Sequence, residues 1–261
     1  MRTLASIFAV LACTAGALLS PAVQASGSIT IAAAADLKFA MDEIVGAFRK
    51  HKPADKIEVI YGSSGKFHTQ IQQGAPFDLY FSADIGFARS LESAGFAAMP
   101  TRPYAVGRIV LWSSSRDASN MKLEDLLDPA IVKIAIANPK HAPYGKRAEE
   151  TLRSVGLWDK LKDKLVLGEN IAQTAQFVQT GNAQVGIIAL ALALNPTLAK
   201  AGAYTLIDDT LHEPLEQGFI ITKRAEGNTL AAEFADYMAG KDARAIMVRY
   251  GFVLPGEATD K

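Results

Sequence analysis

The residues with the most chemical content are Gly62-Ser63-Ser64-Gly65, where two hydroxyl donors stand between glycines that let an anion approach the backbone closely. The motif ends a β-rich run and opens a helical one. Its amides therefore fall at a helix N-terminus, where unpaired N–H groups and aligned peptide dipoles favour negative charge. Ala35-Asp36, Pro143-Tyr144-Gly145, Asn170-Ile171 and Ala189 occupy the same kind of strand-to-helix junction. Such junctions suit a compact anion held by neutral donors. Read alone, a Gly-Ser-Ser-Gly loop is equally a flexible turn with Ser64 capping the next helix.

Catalytic patterns fare worse. Gly62 directly precedes Ser63, so the Gly-x-Ser-x-Gly spacing of a nucleophile elbow is missing. His51, His68, His141 and His212 show no His-x-x-x-His pairing and read as surface residues rather than bases or metal ligands. The Gly-x-Gly-x-x-Gly and P-loop patterns are absent. Asp78 and Asp84 form a conceivable carboxylate pair, but both fall at strand or helix edges, where capping is the commoner use. Tyr61, Phe77, Tyr80, Phe81 and Trp112 lie in strand runs and read as core. No catalytic residue, cofactor or free metal cation is expected; a secreted serine hydrolase using Ser64 stays as the enzymatic alternative.

The elements that must position these loops alternate short β-rich runs with helical patterns, the sequence form of a sheet covered by helices on both faces. Strands are expected at 28–34, 57–61, 78–81, 104–113, 133–137, 165–167, 184–189, 204–207 and 218–222. After the first, Leu37, Ala40, Met41, Ile44, Val45 and Phe48 recur at helical spacing. In open α/β sheets ligands sit beyond the carboxyl ends of the strands, which is where the five junctions lie. With no low-complexity linker, the chain is expected to form two compact α/β lobes joined by strands that cross between them. Lobe 1 is assigned to 26–105 and 216–261, lobe 2 to 106–215, with crossings near 104–108 and 208–218.

Composition agrees with a globular chain: 261 residues, 49% hydrophobic and 21% charged. Lys plus Arg and Asp plus Glu are equal at 27 each, which leaves no basic excess for a phosphate backbone, so nucleic acid is not an expected partner. Met1 and Arg2, an uncharged apolar run over 4–19, Pro21 and Val23-Gln24-Ala25 fit a secretory signal peptide over 1–25. The run is shorter than the roughly 20 apolar residues of a spanning helix, which argues against an anchor. Lipoprotein processing at Cys13 would require cleavage inside that run. Removing 25 residues leaves 261 − 25 = 236, without the single cysteine, and with 26 basic against 27 acidic side chains. A periplasmic location follows for a bacterial chain.

The runs 29–37, 61–65, 74–84, 104–113, Asn138-Pro139 with 142–145, and the closing 251–255 resemble, in order, the molybdate-binding proteins of bacterial ABC importers. The stretch Gly74-Ala75-Pro76-Phe77-Asp78-Leu79-Tyr80-Phe81-Ser82-Ala83-Asp84 is the most specific of them. The resemblance implies a type II periplasmic binding protein fold, two doubly wound α/β lobes on a two-strand hinge. It also implies capture of molybdate, with tungstate nearly equivalent, and delivery to a membrane permease; a monomer is expected. Carried over by position, the oxyanion contacts fall on Ala35 and Asp36, on Ser64 with Ser63 beside it, and on Tyr144 and Ile171, the last two mainly through main-chain N–H. Ala189 replaces a tyrosine that some members use. Donors on both lobes would let the ligand shift an open population towards a closed one.

Asp36 departs from the serine or asparagine of many members. A carboxylate about 4 Å from a dianion is repelled by several kcal/mol at intermediate dielectric. Either its side chain is an N-cap turned away while its N–H faces the anion, or its oxygen joins the coordination of the central metal atom. Together with Ala189, it keeps another small anion, such as sulfate, chromate or phosphate, as the alternative ligand.

Overall fold

The computed structural model describes residues 27–256; the leader, Cys13 and the cleavage point near Ala25 lie outside them. Ten strands form two sheets. In chain order the strands are β1 (Ser28–Ala34), β2 (Lys56–Gly62), β3 (Leu79–Ser82), β4 (Arg102–Gly107), β5 (Ile109–Ser113), β6 (Ile134–Ala137), β7 (Leu165–Gly168), β8 (Val185–Ala189), β9 (Ala203–Leu206) and β10 (Leu215–Ile221). The helices are α1 (Lys38–His51), α2 (Ser64–Gln72), α3 (Ile85–Ser93), α4 (Pro143–Ser154), α5 (Trp158–Leu161), α6 (Ile171–Gln179), α7 (Leu190–Ala193), α8 (Pro196–Ala201), α9 (Thr229–Tyr237) and α10 (Lys241–Arg249). The first sheet has the order β2-β1-β3-β10-β4 and the second β7-β6-β8-β5-β9.

Both sheets are mixed. In the first, β1 runs parallel to β2 and β3, while β10 is antiparallel to β3 and β4. In the second, β6 is parallel to β7 and β8, and β5 is antiparallel to β8 and β9. The interior strands β1, β3, β5, β6 and β8 are nearly continuous apolar runs because helices cover both faces, whereas the edge strands β2, β4, β7 and β9 carry exposed residues. Alternate residues of the first sheet enter different cores: Ile31, Ala33, Leu79 and Phe81 pack with Ile44 and Phe48 of α1 and Phe234 of α9. Ala32, Tyr80 and Ile220 face Phe67, Ile71, Ala88 and Leu91 of α2 and α3. The α1 stripe of Ala40, Met41, Ile44, Val45 and Phe48 is buried as its spacing requires.

The apolar run 104–113, expected as one strand, is two. β4 ends at Gly107 in the first sheet and β5 begins at Ile109 in the second, so the chain changes sheets at Arg108. Apolar residues continue on both sides of Arg108, so composition does not mark where one strand ends and the next begins. The return crossing runs between Leu206 and Leu215, through a 3-10 turn at Asp209–Leu211. The final segment closes on the first sheet: the amide of Val106 donates to the carbonyl of Val253 at 2.7 Å.

Candidate anion-binding site

Four helical N-termini, two from each sheet's lobe, meet at one small pocket. Ala35 and Asp36 begin the 3-10 turn that leaves β1. Ser64 is the first residue of α2, Tyr144 the second of α4 after Pro143, and Ile171 the first of α6. Helix N-terminal amides have no acceptor within their own helix, so these termini present donors and positive dipole ends towards the shared space. Proline at the start of α4 forfeits an amide that would be unpaired in any case. All six residues expected at the site line the pocket, with Ser63 beside Ser64, and no lysine, arginine or histidine is among the lining.

The fifth junction is elsewhere. Ala189 precedes the four-residue α7, is not part of the pocket lining, and is followed by a Leu190 amide that donates to the carbonyl of Arg108 at 2.9 Å. That terminus serves the sheet crossing.

Ser64 is fixed from two sides. Its carbonyl accepts from the Tyr80 hydroxyl at 2.8 Å, and its Oγ accepts from the Ala83 amide at 3.0 Å. With the acceptor side used, the hydroxyl proton is available to donate. Ser63 holds the cap position of α2 without a capping bond, so the cap is Ser63 and not Ser64. Its Oγ donates to the His141 carbonyl at 2.5 Å and lies 2.9 Å from His141 Nδ1. His141, expected on the surface, instead spans the cleft. Its neighbours complete a set of contacts across it: the Gly65 amide donates to the His141 carbonyl at 3.0 Å, and Lys66 forms an ion pair with Glu169. Burial lowers the imidazole pKa, opposed by the nearby Glu169 carboxylate. The two lobes are thus closed on each other.

Asp36 is neither an N-cap nor exposed. Its residue is 1% exposed, and its Oδ2 accepts from the Tyr144 hydroxyl at 2.9 Å and from Gln217 Nε2 at 2.8 Å. Oδ1 is buried without a hydrogen-bond partner. Burial pushes the carboxyl up to about 6, against the opposing pull of Gln217, Tyr144 and the amides of Asp36 and Leu37. Burial and the Asp36 charge push the Tyr144 hydroxyl well above its ordinary value, so it stays a neutral donor. The carboxylate consequently joins the 3-10 turn of lobe 1, a helix of lobe 2 and the β10 strand that returns from the crossing.

Gln217 was not expected at the site. It sits between Leu215 and Phe219 on the inward face of β10, and that polar residue in an apolar alternation is the only signal the sequence carries for it. Asn170, which lines the pocket, also caps α6 by accepting from the Gln173 amide at 3.0 Å. Among the described residues, no group of three or more His, Cys, Asp or Glu is arranged to hold a metal ion.

Known proteins place this architecture. Residues 29–253 match the family model described as bacterial extracellular solute-binding protein. The chain is 36% identical over 238 residues to the molybdate-binding protein ModA of Azotobacter vinelandii, covering 91% of this chain and 94% of that one. It is 33% identical over 233 residues to ModA of Rhodobacter capsulatus, covering 88% and 89%. The solved structure of the Azotobacter vinelandii periplasmic molybdate-binding protein superposes with a TM-score of 0.82 at 31% identity, over 87% of this chain and 99% of that one. These relatives are binding proteins rather than enzymes, and the chain belongs to the bacterial extracellular solute-binding proteins.

Proposed function

We propose that this protein is the periplasmic receptor of an ABC importer, capturing molybdate between its lobes and handing it to a membrane permease. The observation that carries the reading is the convergence of helix N-termini from both lobes, with the Ser64 hydroxyl, on a small pocket lined by no cationic side chain. Neutral dipole donors suit a fully dehydrated tetrahedral dianion, because their charge is fixed in place and needs no counterion. Tungstate, of nearly the same size and charge, binds comparably on this reading. The similarity to ModA proteins supports molybdate over other oxyanions. Export with cleavage near Ala25 and action as a monomer belong to the same proposal.

A serine hydrolase finds no support in the geometry. Ser63 Oγ does lie near an imidazole, but its proton points to the His141 carbonyl, and Ser64 Oγ has no histidine partner.

The test is thermal unfolding with molybdate, tungstate, sulfate, phosphate and chromate. Stabilisation grows with ligand concentration over Kd, about 4 kcal/mol at a thousandfold excess over Kd, so a cognate anion stands out from weak ones. Molybdate and tungstate are expected to give the largest shifts, and Ser64→Ala to reduce them. A larger shift with sulfate, phosphate or chromate would replace the ligand, and no shift with any of the five would end the oxyanion assignment.

A further inference from the structure

The function above leaves one arrangement unexplained: a carboxyl group in the wall of a pocket built for negative charge. Asp36 lines the pocket, so an anion held there lies within one residue's reach of its carboxyl. No cation offsets the repulsion, because the groups that favour the charged carboxylate are Gln217, Tyr144 and two amides. The elements packed around it add none: on α4 Arg147 pairs with Glu150, Arg153 pairs with Glu149 and Lys146 is exposed, as is Glu216 of β10. Tyr144 of α4 and Tyr104 of β4 face it as neutral phenols, both pushed well above their ordinary range by burial. α6 and α7 carry no ionisable side chain. On β2, Tyr61 donates to Asp42, and Lys56 and Glu58 are exposed. On α1, Lys38 pairs with Asp42, and Glu43, Arg49, Lys50 and His51 are exposed.

We infer that Asp36 is a proton-carrying residue of the pocket: it is protonated when the pocket holds a dianion, so that each anion captured brings one proton from solvent onto this carboxyl. The inference rests on the oxyanion reading of the pocket. The structure indicates which oxygen receives the proton. Oδ2 already accepts from Tyr144 and Gln217, whereas Oδ1 is buried with no partner. Protonation there removes a buried negative charge while Oδ2 keeps both of its donors. The balance is simple: the carboxylate gains one proton from bulk solvent, an O–H bond forms at Oδ1, and the anion itself keeps its charge. In the closed structure the carboxyl, already raised to about 6, needs only the added field of the anion to stay protonated at neutral pH.

The experiment is calorimetric titration with molybdate in paired buffers of contrasting ionisation enthalpy, on the wild-type protein and Asp36→Asn. Near pH 7.5 the wild type should take up close to one proton per anion, and near pH 5, where the free carboxyl is already protonated, only about a tenth of one. Its Kd should weaken towards tenfold per pH unit between about pH 6.5 and 8. Asp36→Asn should bind with little proton uptake at either pH and a flatter profile. Equal proton uptake by the two proteins at pH 7.5, or a wild-type Kd independent of pH, would overturn this inference while leaving the receptor function standing. Absence of molybdate binding by both proteins would overturn both.

Discussion

The Gly65 amide donates to the His141 carbonyl at 3.0 Å, a main-chain bond between the first turn of α2 in one lobe and the loop before α4 in the other. A Cβ at Gly65 would stand 2.7 Å from that carbonyl oxygen and 3.1 Å from the His141 Cα, both backbone atoms that cannot swing aside. Gly65→Ala should therefore obstruct closure without disturbing lobe 1. Calorimetry should show at least a tenfold loss of anion affinity, about 1.4 kcal/mol, with an almost unchanged Tm of the ligand-free protein. Wild-type affinity in this variant would show that binding does not need this closure.

Gly107, the last residue of β4, meets the same requirement at the hinge. A Cβ there would lie 2.2 Å from the Tyr144 hydroxyl and 2.7 Å from Gln217 Nε2, the two donors that hold Asp36. Gly107→Ala should displace both and lower stability by about 2–3 kcal/mol, read as a fall in the denaturant midpoint. A midpoint within experimental error of wild type would mean that the cluster adapts.

Tyr144→Phe removes one donor to Asp36 Oδ2 and leaves the packing. The expected loss is about 1–2 kcal/mol of stability at neutral pH, where the carboxylate is charged. Because the phenol bond favours the charged form, its loss should also move the carboxyl titration to higher pH, measurable by carboxyl-resolved NMR.

Asp36 also sets a pH dependence of the ligand-free fold. Its carboxyl lies at about 6 in the folded protein against 3.8 as an unperturbed group, so the folded state binds the extra proton in between. The associated stability is fully present below about pH 3.8 and is lost as pH rises through 6. At roughly 1.4 kcal/mol per unit this amounts to about 3 kcal/mol. Asp36→Asn should thus gain little over wild type near pH 4 and up to about 3 kcal/mol near pH 7, by chemical denaturation. A pH-independent difference would show that the carboxyl does not titrate in this window.

Much of this was legible in the residues. Strand–helix alternation is written in period, so Ser28–Ala34 and the α1 stripe could be read directly. Junction residues could be read too, because a strand end followed by a helix start fixes where free amides lie. What could not be read depends on partners far along the chain. Asp36 meets Tyr144 108 positions away and Gln217 181 away, and no local rule distinguishes that from capping. His141 looked like a surface residue for the same reason: its contact with Ser63 crosses 78 positions. Arg108 divides two strands of different sheets inside one apolar run.

The place of β10 in the first sheet has a consequence for the order of assembly. It lies between β3 and β4, although it follows them by more than a hundred residues. The second sheet, by contrast, is made wholly from 109–206, so its lobe is one uninterrupted stretch of chain. Until residues 215–221 join it, lobe 1 is a sheet lacking an interior strand, with the edge of β3 bare. The last strand of the chain completes the lobe that its first strand began.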